Sequence, residues 1–300
     1  AASEWIADGF TTVRDMGGTL DGLRKVIDDG LIDEVISRLM SGKEADVYVV
    51  RSDDELRCAK VYKEAAKRSF KKAAQYTEGR KVRNSRRQRA MEKGSKFGRK
   101  EQEQIWQNAE VDALYLLAEA GVRVPEPYGC LDGVLLMELI VDVNGDVAPR
   151  LGDVSMTGEE AIGHHAFVMQ DIVRMLCAGL VHGDLSEFNV LLDEYGPVII
   201  DLPQAVNAAA NNNAKSMLKR DVDNMTNYFG QFSPDLLETN FADEIWLLYE
   251  EGKLRPDTIL TGEFEANEDA ADVDAVMVQI QEAYREEQER LERIKEAEEG

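Results

Sequence analysis

The stretch Val181-His182-Gly183-Asp184-Leu185-Ser186-Glu187-Phe188-Asn189 is followed by a short apolar run, Val198-Ile199-Ile200, that ends in Asp201. Three oxygen-bearing side chains, Asp184, Asn189 and Asp201, therefore stand beside short apolar strands. A hard cation such as magnesium accepts carboxylate and amide oxygens and keeps water while it holds nucleotide phosphates, so Asn189 and Asp201 suit a metal clamp. Asp184 is left for the acceptor, where a carboxylate orients or deprotonates the attacking hydroxyl during phosphoryl transfer. An isolated Asp-x4-Asn would read as turn hydrogen bonding; Asp201 at the end of the apolar strand argues for chemistry instead. His182 is expected to brace this loop, since Asp184 already holds the base position, and His164 and His165 lack a metal-ligand set and read as helix residues.

Charged groups at apolar positions give the second cluster. Under period-two alternation Leu56, Cys58, Lys60 and Tyr62 share one strand face, which puts an ammonium on a largely apolar surface. Trp106, Glu110, Leu114 and Leu117 fall on one helical stripe, so Glu110 is expected among core-facing residues and needs a cation. A Lys60–Glu110 pair satisfies both and aims the ammonium at phosphates. Upstream, Ser41-Gly42-Lys43-Glu44-Ala45 precedes the hairpin and can offer backbone N–H groups as a phosphate cover, although Glu44 stands where a Walker A motif needs Ser or Thr. Met137, Glu138 and Ile140 lie in a strand-and-hinge segment whose backbone, at Glu138 and Ile140, suits an adenine edge, with Cys58 against the adenine face.

Positioning these groups takes a hairpin, Asp46–Val50 and Leu56–Tyr62 around a polar turn at 51–55, a helix from Glu101 to Ala120 stopped by Gly121, and strands near Tyr128–Cys130 and Val134–Leu139. A second helix, Gly158 to Ala178, places Phe167 or Val168, Ile172 and Met175 on one face, and the chain to about residue 262 reads mostly helical. The expected organisation is an N-terminal arm or short helices (1–30), a small lobe (31–138) with a basic mobile loop at 76–100, a larger lobe (139–262) and an acidic helical tail (263–300).

These residues resemble the RIO kinases, atypical relatives of protein kinases, in the type-one branch and its bacterial form. Ser41-Gly42-Lys43-Glu44-Ala45, Ala59-Lys60-Val61-Tyr62-Lys63, His182-Gly183-Asp184-Leu185-Ser186-Glu187-Phe188-Asn189 and Ile200-Asp201 carry the likeness over roughly residues 31 to 260. The resemblance implies an α+β, two-lobed protein-kinase-like fold, with a small antiparallel-sheet N-lobe and a mainly helical C-lobe. It implies ATP with Mg2+ or Mn2+, Asp184 as catalytic aspartate, Asn189 and Asp201 as metal ligands, and Lys60 paired with Glu110. It further implies serine autophosphorylation, with Ser85 and Ser95 as candidates, and ATP hydrolysis linked to ribosome maturation through a phosphorylated aspartate at Asp201. Gly183 replaces the Arg of ordinary protein kinases, Leu202-Pro203 follows Asp201 instead of Phe-Gly, and no Ala-Pro-Glu segment follows.

The 300 residues carry 35 Lys and Arg against 58 Asp and Glu, a formal net charge of -23, which argues against the whole chain acting as a nucleic-acid or anionic-membrane binder. Yet Lys60 to Lys100 holds sixteen Lys/Arg against three Glu, a local basic patch; given the ribosomal link that the resemblance implies, a ribosomal particle or RNA is expected to meet the basic loop at 76–100, or else the loop lies on the protein's own acidic surface. Three scattered cysteines support neither a disulfide framework nor a zinc site. With no signal region or membrane span, a cytoplasmic address is expected. The tail stripe Val273, Met277, Ile280, Tyr284, Leu291 and Ile294 suits weak docking on its own domain or a protein partner. Two rival readings stay open: a small-molecule phosphotransferase of the choline or aminoglycoside kinase type, and a nucleotide-switched ribosome assembly factor with little turnover.

Overall fold

The computed structural model describes residues 20–42, 45–63 and 109–264. Lys43, the basic segment with Ser85 and Ser95, Trp106 and the acidic tail lie outside them.

The N-terminal lobe is one antiparallel sheet built from β1 (Glu34–Ser41), β2 (Ala45–Ser52), β3 (Glu55–Tyr62), β4 (Pro127–Leu131) and β5 (Val134–Glu138). Their order across the sheet is β1-β2-β3-β5-β4. β2 and β3 pair without slippage from Ala45↔Tyr62 to Ser52↔Glu55, so the strands run further into the polar turn than expected and leave only Asp53 and Asp54 between them. Both aspartates have positive φ, 52° and 64°, the backbone of a two-residue hairpin turn whose twist matches its strands. Leu56 is a correction: placed at this turn end of β3 it is exposed, whereas Cys58 and Tyr62, deeper in the same strand, are buried. β1 was not anticipated as a strand. It is a largely exposed edge with two register shifts, and its apolar residues do not alternate cleanly with burial.

Helix α1 (Leu20–Asp28) lays Leu23 and Val26 on the sheet, against a cluster that includes Tyr48, Val50, Ala59, Val61, Val134 and Leu136. Helix α2 (residues 109–119) packs Leu114 and Leu117 into the larger core, which brings Glu110 inside with them at 4% exposure.

The C-terminal lobe is organised by α3 (Gly158–Cys177), α4 (Ala214–Gly230) and α5 (Phe241–Glu250). α3 starts on a capping box in which Thr157 and Glu160 satisfy each other's backbone N–H, and it turns out at Gly179, φ 82°. Its buried stripe runs through Val168, Ile172 and Met175; Phe167 points outward. The chain after α3 is less purely helical than expected, because four short strands, β6 (Leu180–Val181), β7 (Val190–Leu192), β8 (Pro197–Ile199) and β9 (Val206–Asn207), form two small antiparallel pairs. These pairs fold the segment carrying Asp184, Asn189 and Asp201 back on itself. The architecture is the expected α+β, two-lobed kinase-like fold.

Candidate active site

Lys60 lies mid-strand in β3, opposite Val47 on β2 and Leu135 on β5. Its ammonium is 2.5 Å from Glu110 Oε1 and 2.8 Å from Asp201 Oδ1. Burial draws the Lys60 ammonium toward its neutral form, but the two carboxylates outweigh it and hold the group above the ordinary lysine range. Tyr62, two residues along the same face, donates its phenol to Glu110 Oε2 at 2.7 Å. Burial, then the Glu110 charge, pushes the Tyr62 hydroxyl upward, so it stays a donor. Burial also pushes the Cys58 thiol up to about 12, leaving an apolar wall rather than a nucleophile.

β7 and β8 deliver the acidic half. Val190 pairs with Ile199, and Ile200 N–H donates to the Asn189 carbonyl at 3.0 Å, which sets Asn189 beside the residue preceding Asp201. Asp201 itself has φ 66°, an uncommon backbone for a non-glycine residue, and its carboxylate turns back toward Lys60. Burial raises that carboxyl, but the neighbouring ammonium dominates and holds it below the usual carboxylate range. Asn189 Nδ2 donates to the Asp184 carbonyl at 2.8 Å, so its side-chain oxygen faces the opposite way. Asp184 is exposed, with Gln204 Nε2 donating to its Oδ2 at 2.8 Å.

His182 is a brace. Its Nδ1 accepts the Asp184 backbone N–H at 3.3 Å and its Nε2 lies 3.1 Å from the Ile200 carbonyl, so neither ring nitrogen is left to take an acceptor's proton. The loop is also gripped from below by α4. Asp221 accepts N–H bonds from Gly183 at 2.7 Å and Leu185 at 3.0 Å, Asn224 donates to the Leu185 carbonyl, and Arg220 donates to the Gly183 carbonyl. Burial pushes the Asp221 carboxyl up to about 6, against the opposing pull of His182 and the two N–H bonds. Gly183 has φ 82°, a backbone that suits glycine at the place where ordinary protein kinases carry Arg.

Sequence reasoning missed Asp221, although its signal was of the kind that found Glu110: an acid set among Met217, Leu218, Val222 and Met225 on a buried stripe. It also missed Lys63. That ammonium reaches the Gly42 carbonyl at 2.7 Å, Ser41 Oγ at 3.2 Å and the buried Asp46 carboxylate at 2.8 Å, and so ties down the turn entered at Ser41 and Gly42. Arg123 joins the lobes behind the site, pairing with Glu138 at the end of β5 at 2.9 Å and with Asp193 in the β7–β8 turn at 2.7 Å. At the hinge, Met137 pairs with Cys58 across β5 and β3, Glu138 N–H donates to the Glu126 carbonyl, and the Ile140 carbonyl accepts from Ala148.

A strand lysine held by a helix carboxylate, facing a loop with an exposed aspartate and an asparagine-aspartate pair, defines a protein-kinase-like site. A family model described as the RIO domain matches residues 46–242. A RIO-type serine/threonine-protein kinase Rio1 of Haloferax volcanii is 34% identical over 219 residues, covering 72% of this chain and 70% of that protein. Serine/threonine-protein kinases named rio1 in Schizosaccharomyces pombe and RIO1 in Homo sapiens are 30% and 32% identical, over 72% and 70% of this chain. The chain spans only 42% and 36% of those two longer relatives. The chain belongs to the RIO family of serine/threonine-protein kinases. No helix among the described residues is long and apolar enough to cross a membrane.

Proposed function

We propose that this kinase uses ATP with a divalent cation, and that it transfers the γ-phosphoryl to a serine of its own chain or to water. The observation that carries this reading is the bridged position of Lys60, 2.5 Å from Glu110 and 2.8 Å from Asp201, which aims one buried ammonium at the place where phosphates would meet the metal loop. The donor chemistry fits a hard cation: Asn189 and Asp201 supply one amide and one carboxylate oxygen. Bound there, the cation supplies charge neutralisation on the phosphoryl group.

Each chain residue then has a task. Ser41 and Gly42, pinned by Lys63, cover the phosphates together with Lys43; Lys60 holds them; Glu110 holds Lys60. Cys58 and Met137 flank the adenine, and the hinge reading draws on the Glu138 carbonyl and the Ile140 N–H. Asp184 accepts the hydroxyl proton of serine or water. A contact between the basic segment 76–100 and a ribosomal particle or RNA, a role in ribosome maturation, and a protein partner for the acidic tail belong to this proposal and rest on sequence.

Turnover of labelled ATP by the wild type and by Asp184→Ala tests the assignment. Loss of both phosphoprotein and free phosphate in Asp184→Ala is expected, and retained turnover refutes it. Acid-stable, base-labile product marks phosphoserine, whereas acid- and base-labile product marks an aspartyl phosphate.

A further inference from the structure

We propose that Gln204 is a positioning residue for Asp184: it fixes the carboxylate by one oxygen and leaves the other to meet the acceptor. The inference rests on the reading of Asp184 as the proton acceptor.

The turn after β8 is built to present this side chain. Asp201 reverses the chain with φ 66°, Ala205 N–H closes the turn on the Leu202 carbonyl at 3.0 Å, and Leu202 and Pro203 are buried beneath it. Gln204 leaves the turn toward the neighbouring loop and ends with Nε2 2.8 Å from Asp184 Oδ2. The amide orientation follows from charge, because the reverse placement would set Oε1 against a carboxylate oxygen.

Asp184 needs such a partner. Its backbone is held by His182, and its carbonyl by Asn189, but the carboxylate projects from an exposed residue with two rotatable side-chain bonds. A base works only when its oxygen lies within about 3 Å of the proton it takes. An amide anchors the carboxylate without neutralising it, which a lysine or arginine at the same place would do. With Oδ2 engaged, Oδ1 is the atom presented to the hydroxyl; the hydroxyl oxygen bonds to phosphorus, ADP departs, and the proton passes to Oδ1. Gln204 stands three residues after Asp201, so one turn sets both a proposed metal ligand and the orientation of the proposed base.

Two variants separate orientation from packing. Gln204→Glu keeps the shape but loses the donor, and Gln204→Ala loses both. ATP turnover, ADP affinity by direct titration, melting temperature and a nucleotide-free crystal structure are measured for each beside Asp184→Ala. In both Gln204 variants kcat is expected to fall about tenfold while KM for ATP and ADP affinity stay within about twofold, the pattern of a lost alignment rather than a lost binding contact. In Gln204→Ala the Asp184 carboxylate is expected to leave its wild-type rotamer. Turnover within about twofold of wild type in Gln204→Glu, or a loss confined to KM, overturns the positioning role while an inactive Asp184→Ala leaves the site reading intact. An active Asp184→Ala overturns both.

Discussion

Tyr62 donates to one oxygen of the Glu110 carboxylate at 2.7 Å while Lys60 holds the other at 2.5 Å. The acid is thus clamped by two residues of one strand face. Glu110→Gln removes the charge and leaves Lys60 with Asp201 alone, so a stability loss of about 3 kcal/mol is expected, the lower end for a broken buried pair because Asp201 still holds the ammonium. Tyr62→Phe is expected to cost about 2 kcal/mol, the worth of a hydrogen bond to a charged group. Urea unfolding measures both, and kcat/KM for ATP should drop far more in Glu110→Gln than in Tyr62→Phe.

Asp221→Ala strips two buried loop N–H groups, at Gly183 and Leu185, of their acceptor. A loss of about 2–4 kcal/mol is expected from two unsatisfied donors. Amide exchange at Leu185 should accelerate well beyond that of β2; unchanged protection at Leu185 would show that water or another group replaces the carboxylate.

His165 is buried, packs near the Phe229 and Phe241 rings and has Nε2 3.0 Å from Thr226 Oγ1. Burial pulls its pKa from 6.5 down to about 4. The unfolded chain therefore takes the proton first on acidification, so the stability tied to the neutral ring is complete above about pH 6.5 and drains away as pH falls toward about 4. Between pH 7 and 5 this amounts to about 2 kcal/mol. Unfolding free energies of the wild type and His165→Gln at the two pH values read it out, and an identical pH dependence in the two proteins would rule the histidine out as the source.

Arg123→Ala severs the tie between Glu138 and Asp193 and leaves the Asp193 carboxylate, 4% exposed, with the N–H groups of Tyr195 and Gly196. A cost of about 2 kcal/mol is expected because that charge stays partly satisfied. Asp193→Asn in the same background should restore part of it; additive losses would mean the two side chains act independently.

Asp184 and Asn189 were legible from their spacing ahead of the strand that ends in Asp201, and Lys60 and Glu110 from charges that interrupt an apolar period. Lys60 in a strand and Glu110 in a helix are such interruptions, and the structure brings them together. The hairpin and the α3 stripe were read from periodicity, and their regular spacing survives in the structure; the two-lobed fold was what the family resemblance implied. Contacts between a side chain and a distant backbone leave no such period. Gln204 and Asp184 are 20 residues apart, and Asp221 and Gly183 are 38 apart. α1 was legible only as an arm because, among the described residues, its fully buried positions are Leu23 and Val26, too few to mark a lobe core. Leu56 failed the alternation argument because a strand end at a tight turn has solvent on both sides.

α4 takes hold of the loop through main-chain atoms: the N–H and C=O of Gly183 and of Leu185. Apart from the glycine demanded by φ 82°, that handshake is blind to what the loop's side chains are. The reactive residues sit like type in a composing frame, so positions 184 and 186–188 are open to resetting by evolution or design while the frame stays locked.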